Sequence, residues 1–384
     1  PIVVGNDGTN GGLGAATEVN KVSCASCHDS ANWYVDTRSR PRNTSLGVNW
    51  DIRNSATLVN AQYYKWVEND GFNEAEWQEA ITAVELFWVM GGSRLRVAHA
   101  IYDHYRDDYN AVFADAPLDP SLAADAPDAA RFPPDGLPKA LTADGANAAD
   151  GPWEAMSDAD HDIVNRIFVN FAKACGAYVR LLVSRNAPFD KYVAGDYGAL
   201  PTDAKDGLKL FIGKANCVHC HKSPHFSDDD FHNTGWAPDR KQVHLLSPPP
   251  GGEMGVVEDG RFTGIVFVTA NEFNSDSKWS DDQHTGKLTD LVAKESDKGK
   301  WRTKGLRSIA KTDPFFHNGQ FPTLPDVLKF YNNGGADADF IGTKDEVMKK
   351  LNLSDGELSN LDKFLGQLTG DPIPSFLQTD TSAP

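Results

Sequence analysis

The sequence predicts a mainly α-helical chain with little β-structure, divided into two domains. Its 384 residues are enough for two domains of ordinary size. Apolar residues recur at helical spacing in both halves. A pentapeptide of the form Cys-x-x-Cys-His also occurs in each half, at 24–28 and at 217–221. The order of helix, pentapeptide, loops and helix therefore occurs twice, once in each predicted domain.

The first predicted domain covers 1–155. The spacing of its apolar residues predicts helices at 75–90 and 93–114. The stretch at 116–155 is rich in Ala, Asp, Pro and Gly and has little periodicity, so it is interpreted as a long surface connection to the second domain.

The second predicted domain covers 156–384 and contains the clearest helical pattern of the chain, at 163–181. The stretch at 226–300 has few helical signals and is interpreted as a polar, loop-rich excursion. Two further helices are predicted at 324–331 and 354–370, the second with a capping box at its start.

The composition limits the partners that the protein can have. Its formal net charge is −17 at pH 7, from 37 basic and 54 acidic residues. This surplus of acidic residues argues against nucleic acid and anionic membranes. No apolar run is long enough to span a bilayer. The chain starts at Pro1 without a methionine, which is interpreted as a processed, mature form.

Each pentapeptide has the residues that attach haem c, namely two cysteines for thioether bonds and a histidine for the iron. These residues are Cys24, Cys27 and His28 in the first and Cys217, Cys220 and His221 in the second. The alternative is a four-cysteine zinc site, but zinc needs no histidine after either cysteine pair. We therefore expect two covalent haem c groups, which implies assembly outside the cytoplasm.

Two haems leave three classes of protein open: an electron carrier, a peroxidase and an oxygenase. The ligand on the second face of each iron decides among them. An open iron can react, whereas an iron with both faces occupied only transfers electrons.

The segments around the pentapeptides are the most informative part of the sequence for function. They read SLGVNWDIRNSATLVNA at 45–61, GLKLFIGKANCVHCH at 207–221 and FSDDDFHNTG at 226–235, and a fourth spans 301–335. In order and spacing they resemble the bacterial dihaem cytochrome c peroxidase and MauG superfamily, from about 22 to 370. The resemblance implies two cytochrome c-like domains, each with one haem c.

The resemblance implies different ligands for the two irons. Conventional peroxidases of the family have a histidine that caps the first haem, and Val48 stands at its place, so the haem of His28 is expected to be open. Fourteen residues after His317, MauG-like members have a tyrosine in place of a methionine. Tyr331 stands there and is expected to bind the second iron opposite His221. The alternatives are another residue that reaches the first iron and a tyrosine that only packs.

For peroxide cleavage, the resemblance implies a glutamate above the open haem that moves a proton between the two oxygens. Glu85 is the best match, with Glu79 and Glu76 as alternatives, and Gln78 is expected to line the same pocket. Trp66 matches a tryptophan that relays electrons between the haems. A solvated glutamate and a buried core tryptophan are the structural alternatives.

The resemblance also implies a calcium ion between the domains. Its ligands would be the side chain of Asn54 and the backbone carbonyls of Thr312 and Pro314, and such all-oxygen ligation suits calcium. Arg302 and Arg307 match basic residues that pair with the propionates of the second haem.

Together these features predict a periplasmic, MauG-like dihaem enzyme. It would use hydrogen peroxide to form a high-valent state shared by both haems and would oxidise a residue, expected to be tryptophan, on a secreted partner protein by long-range electron transfer. The alternative is a conventional peroxidase that takes electrons from a small cytochrome c or a blue copper protein. Val48 and Tyr331 argue against that alternative, and an open first haem argues against a pure electron carrier.

Overall fold

The protein is mainly helical, which confirms the predicted fold class. Its structure is a computed structural model and describes residues 21–37, 44–48, 51–142, 145–237, 259–283 and 285–379. The α-helices of these residues are α1 (Cys24–Cys27), α2 (Glu76–Glu85), α3 (Arg94–Val112), α4 (Asp158–Val179), α5 (Pro188–Val193), α6 (Thr202–Ile212), α7 (Arg261–Ala270), α8 (Leu324–Asn332) and α9 (Asp355–Gly366).

The β-structure in the described part of the chain is one small antiparallel sheet. It pairs β1 (Phe231–His232) with β2 (Trp301–Arg302), and Phe231 lies opposite Arg302. Among the same residues, no helix has both the length and the apolar character needed to cross a membrane.

The first half is built on three helices, in which α4 packs against α2 and α3. Ser157 caps α4 by accepting a hydrogen bond from the backbone N–H of Asp160. Gly176 allows α4 to approach α2 closely, because a Cβ there would lie 3.1 Å from the Cβ of Trp77. The core between these helices consists of buried apolar side chains, among them Ile81, Val84, Val97, Phe168 and Val169.

The segment 116–155 is anchored to these helices by buried side chains. The anchors are Leu118, Leu122, Phe132 and Trp153, which pack together with residues of α3 and α4. The prediction of a surface connection is therefore wrong for these positions. Their spacing along 3-10 turns is irregular, so no periodic pattern reveals them. The domain boundary near 155 stays a prediction.

The second half is built around α6 and α9, and α8 packs on α9. Gly207 of α6 lies against the backbone of Asn360 in α9, where any Cβ would collide with the carbonyl oxygen. The predicted capping box is present, because Ser354 accepts from the backbone N–H of Glu357, whose carboxylate accepts from that of Ser354. The core here contains Phe211, Leu361, Phe364, Leu365 and Leu368.

Part of the excursion at 226–300 folds as helix α7, so the expectation of a loop-rich segment is wrong there. The sequence of α7, RFTGIVFVTA, is rich in β-branched residues, which have low helix propensity. Packing overrides this preference. A Cβ at Gly264 would collide with the backbone oxygen of Asp70, so α7 lies directly on the turn that follows Trp66. The part of the excursion at 238–258 lies outside the described residues.

Candidate functional site

The two pentapeptide histidines are held in the same way. Nδ1 of His28 lies 3.0 Å from the carbonyl oxygen of Tyr34, and Nδ1 of His221 lies 2.9 Å from that of Phe226. Both carbonyls belong to left-handed residues with φ of 59°. Donation from Nδ1–H leaves Nε2 as the nitrogen that can bind a metal. Burial lowers the pKa of both histidines, which favours the neutral ring.

A cavity of about 340 Å³ lies against the second pentapeptide. Cys217, Cys220 and His221 form part of its wall, and Tyr331 also lines it. Burial and the sulfur atoms of Cys220 and Cys217 raise the pKa of Tyr331, so its hydroxyl lies within electrostatic reach of the pentapeptide. Much of the remaining wall is apolar and includes Phe211, Ala215, Ile309, Leu324, Leu328 and Leu361.

Two buried donors in the wall of this cavity lack a partner. Nε1 of Trp301 and Nη1 of Arg302 make no hydrogen bond within the described part of the chain. The Arg302 side chain is 1% exposed, and its Nη1 stays 3.8 Å from the carboxylate of Asp229. Buried donors without partners are rare. The carboxylates of haem propionates would satisfy both donors, so the residues of this cavity fit a haem.

The two arginines predicted to pair with propionates lie apart. Arg302 stacks on Tyr64, with its guanidinium carbon 3.9 Å from the ring centroid, and its Nε donates to the backbone of Glu68. Arg307 pairs with Asp190 at 2.7 Å and lines a separate, smaller pocket. The geometry therefore supports a propionate partner at Arg302 and gives no support to one at Arg307.

The three residues predicted to bind calcium come together at the same cavity. Asn54, Thr312 and Pro314 all line it. The backbone N–H of Asn54 donates to the carbonyl of His317 at 2.7 Å, and its side-chain N–H donates to that of Asp36 at 3.1 Å. This arrangement ties the first half of the chain to the second. Binding of calcium stays a prediction.

Val48 lies in the core beside the first pentapeptide. Its side chain is buried, and its N–H donates to the carbonyl of Val89 at 2.8 Å. The carbonyl of Leu46, two residues earlier, lies 3.9 Å from the sulfur of Cys27. Asn49 and Trp50 lie outside the described residues. That the first iron is open stays a prediction.

Glu85, the predicted proton-transfer residue, is held by an arginine. Arg94 donates to both of its carboxylate oxygens at 2.8 Å, and both side chains are buried. Arg94 also donates to Asn165 at 2.7 Å and pairs with Glu272 at 2.8 Å. The arrangement joins three helices. Because both oxygens of the Glu85 carboxylate accept hydrogen bonds from Arg94, it does not favour proton transfer by Glu85.

Gln78 and Glu76 are also engaged in packing contacts. Oε1 of Gln78 accepts from the backbone N–H of Glu74 at 2.7 Å, and its Nε2 donates to the carbonyl of Phe273 at 2.9 Å. Gln78 thus caps the start of α2 and fastens it to the chain after α7. Glu76 forms an ion pair with Arg180. Neither arrangement indicates a role in peroxide chemistry.

The carboxyls of Glu79 and Glu68 form a pair in which each affects the ionisation of the other. Burial and the charge of Glu68 raise the pKa of Glu79 well above its ordinary value. Burial opposes ionisation of Glu68 as well, but Arg53 and Lys304 lower its pKa. Burial and the neighbouring charges thus favour the protonated form of Glu79 over that of Glu68. Asn73 fixes Glu79 by donating to it at 2.8 Å.

This carboxyl pair interacts electrostatically with groups at both pentapeptides. Glu68 belongs to the electrostatic surroundings of His28, and Lys304, near both glutamates, lines the cavity of the second pentapeptide. Of the three glutamates that the sequence singles out, Glu79 is therefore the one that interacts with Glu68, whose charge acts on His28 of the first pentapeptide. Sequence reasoning missed Glu68, which sits in a left-handed turn with φ of 62° that no periodic pattern signals.

Three closely packed aromatic rings lie at the wall of the cavity. Trp301 stacks on His317 with centroids 3.7 Å apart, and Trp236 lies 4.2 Å from His317. Trp301 and His317 line the cavity. Closely spaced aromatic rings offer short tunnelling steps for electrons that move to or from a redox group in the cavity. The nine tryptophans of the sequence hint at such routes but do not locate this one.

A cluster beside the second pentapeptide has the geometry of a small metal site. Ligand atoms of Cys220, Asp228 and His232 lie within 4.8 Å of one another. However, His232 already contacts Asp228 at 3.1 Å and Asp345 at 2.9 Å, and Cys220 is the second cysteine of the pentapeptide. We interpret the cluster as part of the loop that shapes the haem cavity.

Comparison with known proteins gives matches along most of the chain. Residues 16–132 match the family model of the di-haem cytochrome c peroxidases. The chain is 28% identical to the cytochrome-c peroxidase IdrP1 of Denitromonas iodatirespirans over 358 residues, which covers 90% of this chain and 76% of that protein. It is 30% identical to the methylamine utilization protein MauG of Methylorubrum extorquens over 199 residues, 52% of this chain and 44% of MauG.

A solved structure shares the fold. The crystal structure of a MauG-like protein associated with microbial copper homeostasis superposes with a TM-score of 0.56 at 20% identity, over 94% of this chain and 87% of that one. Other curated relatives, two cytochrome-c peroxidases named IdrP2, are matched over only 48% of their own length, so the chain spans about half of them.

Proposed function

Because the chain belongs to the dihaem cytochrome c peroxidase and MauG superfamily, we propose that it is a MauG-like enzyme that uses hydrogen peroxide to oxidise a residue of a partner protein. The observation that carries this proposal is the unequal surroundings of the two pentapeptides. His221 shares its cavity with Tyr331, whereas Val48 packs beside the first pentapeptide.

Two haem c groups supply the redox chemistry with peroxide when they are bound. The chain's own residues attach and orient them. The cysteines would form the thioether bonds, and His28 and His221 would bind the irons through Nε2, oriented by their Nδ1 contacts. Trp301 and Arg302 would donate to the propionates of the second haem.

Tyr331 would bind the iron of the second haem. Burial raises the pKa of its phenol, and a metal cation is the kind of neighbour that lowers it and favours the phenolate. A phenolate gives the iron a lower reduction potential than methionine does. A low potential suits the retention of an oxidising equivalent and does not suit electron uptake from a high-potential donor. Tyr331 therefore supports the MauG-like activity.

Glu79, in place of Glu85, would move the proton when peroxide is cleaved. The raised pKa of Glu79 favours its protonated form and the lowered pKa of Glu68 favours its carboxylate, so these neighbouring groups could release one proton and accept another. Glu85 has both oxygens bound by Arg94 and would serve to position the helices.

Trp66 would relay electrons between the two haems, and the substrate would be a residue, expected to be tryptophan, on a secreted protein. Covalent attachment of haem supports a periplasmic location. Asn54, Thr312 and Pro314 would hold a calcium ion, since all three line the same cavity and have oxygen atoms of the kind that calcium prefers. The acidic charge of −17 suits a partner with a basic surface.

The alternative is a conventional peroxidase that reduces hydrogen peroxide with electrons from a small cytochrome c or a blue copper protein. The similarity to IdrP1, which is named a cytochrome-c peroxidase, favours it. Tyr331 separates the two functions, because it replaces a methionine of conventional members.

The test gives the haem-loaded protein hydrogen peroxide together with one of two reductants. One is a reduced small cytochrome c, and the other is a secreted protein with exposed tryptophans and a basic surface. We expect slow oxidation of the cytochrome and a mass increase on a tryptophan of the secreted protein. Rapid, stoichiometric oxidation of the cytochrome with no mass increase would assign the conventional function instead.

A further inference from the structure

A buried arginine is clamped between two aromatic rings, one of which is the proposed relay Trp66. The guanidinium carbon of Arg261 lies 4.1 Å from the ring centroid of Trp66 and 4.1 Å from that of Phe231. Its Nη1 donates to the carbonyls of Asp70 and Gly71 at 3.2 and 3.0 Å. These bonds fix the guanidinium against the indole.

Two glycines near Arg261 allow this close contact with the indole. Gly71 has φ of +71°, and a Cβ there would collide with Nη1 of Arg261 and the ring of Phe231. Arg261 is the first residue of α7, and Gly264 brings that helix onto the backbone of Asp70. Glycine at both positions is required for the arginine to reach the indole.

A second cation lies near the same indole. Nζ of Lys287 is 6.0 Å from the ring centroid of Trp66 and donates to the carbonyls of Lys65 and Glu74 at 2.9 and 3.0 Å. Lys287 and Arg261 both belong to the excursion at 226–300. The excursion thus supplies both positive charges.

A cation near an indole face has opposite effects on the two redox states of the ring. It attracts the electron-rich neutral ring. It repels the radical cation that remains when the ring loses an electron, and this repulsion is strong where solvent is excluded. Burial lowers the pKa of Arg261 to about 10, so the group stays positive at neutral pH, and Asp70 and Glu74 support its charge. Removal of an electron from Trp66 is therefore disfavoured.

We propose that Arg261 and Lys287 are positioning residues that raise the one-electron oxidation potential of Trp66. Electrons would then pass through this tryptophan without leaving a long-lived radical cation on it. This inference rests on the proposed function, because peroxide acting at the haems is the source of the oxidising equivalents. Without the cations, Trp66 would give one electron to the oxidised haem site and hold the hole longer. Loss of a second electron to the same site and addition of water would then give hydroxytryptophan and two protons, and the two electrons would balance the two oxidising equivalents of one hydrogen peroxide.

The experiment treats haem-loaded wild type and three variants with hydrogen peroxide in the absence of a donor. Arg261→Gln removes the charge at the indole, Arg261→Lys retains it, and Lys287→Met removes the second charge. Mass spectrometry of the peptide that contains Trp66 measures hydroxylation, and haem absorbance is recorded in parallel. We expect several times more hydroxylated Trp66 in Arg261→Gln than in wild type, a smaller increase in Lys287→Met, and wild-type behaviour in Arg261→Lys.

The two readouts separate the possible failures. If the haem absorbance of the wild type does not respond to peroxide, the proposed function is wrong. If it responds and hydroxylation of Trp66 is the same in wild type, Arg261→Gln and Lys287→Met, the inference about the two cations is wrong. Should Arg261→Gln fail to load haem, Lys287→Met against wild type decides, because Lys287 is partly exposed and outside the ring clamp.

Discussion

Arg94 holds both carboxylate oxygens of Glu85 with hydrogen bonds of 2.8 Å, and the two side chains are only 1% and 5% exposed. Glu85 ends α2 and Arg94 begins α3, so the ion pair joins the two helices across the turn between them. Arg94 also reaches Asn165 of α4. Glu85, which the family resemblance suggests as a catalytic residue, therefore has contacts that stabilise the fold.

Glu85→Gln should lower the free energy of unfolding by about 3–5 kcal/mol, because it leaves a buried guanidinium without its main partner. Urea denaturation of the haem-loaded protein measures this change. Asp150→Asn, which removes an exposed partner of Lys139, is the control and should change stability little. If Glu85→Gln is as stable as wild type and reacts slowly with peroxide, Glu85 is the residue that transfers the proton.

Glu79→Gln should slow the reaction of hydrogen peroxide with the first haem by about 10²–10⁴-fold, the usual contribution of a positioned acid–base group. The amide of the variant could neither release nor accept a proton, as the Glu79 carboxyl can. Stopped-flow absorbance of the haem gives the rate. Glu76→Gln, on the same helix but paired with Arg180, is the matched control and should react like wild type. Equal rates in the two variants would exclude Glu79 from proton transfer.

The raised pKa of Glu79 also predicts how stability varies with pH. A carboxyl whose pKa is higher in the folded state than its ordinary value of 4.5 stabilises the fold below that value, and the contribution is lost as pH rises through the folded-state pKa. Glutamine cannot ionise. The stability of wild type relative to Glu79→Gln should therefore fall as pH rises from acid to neutral. Urea denaturation at a series of pH values tests this, and a difference that does not change with pH would contradict the carboxyl pair.

The sequence identified the groups of the site better than it identified their partners. The pentapeptides are local motifs, and a count of fourteen residues from His317 led to Tyr331, which does line the cavity of His221. Glu85 and Glu79 differ only in what surrounds them. Their partners, Arg94 and Glu68, lie on other elements, so helical spacing could not choose between the two glutamates.

The excursion shows the same limit at the level of fold. The β-branched sequence of α7 gives no helical signal, and the helix forms because Gly264 lets it pack on the backbone of Asp70. The contact of Arg261 with Trp66 joins residues that are far apart in the chain. Such contacts depend on tertiary packing, which the periodicity and motifs of a single sequence do not reveal.

Tyr331→Met should raise the reduction potential of the second haem, because a neutral thioether stabilises ferric iron less than a phenolate does. A potentiometric titration followed by absorbance measures the potential of each haem. Tyr197→Met is the control, since Tyr197 is 71% exposed and does not line the cavity. If the potential of neither haem changes in Tyr331→Met, Tyr331 does not bind the iron.

The central claim is that an open first haem works with a tyrosine-bound second haem, and the most direct test is the reaction of fully oxidised, never-reduced protein with an equimolar amount of hydrogen peroxide. Optical and electron paramagnetic resonance spectra are recorded before and after mixing. The account predicts one high-spin and one low-spin haem at rest, and a change in both signals on mixing. Two low-spin haems that do not react with peroxide until one of them is reduced would contradict this claim. That result would indicate a conventional peroxidase whose first iron is capped.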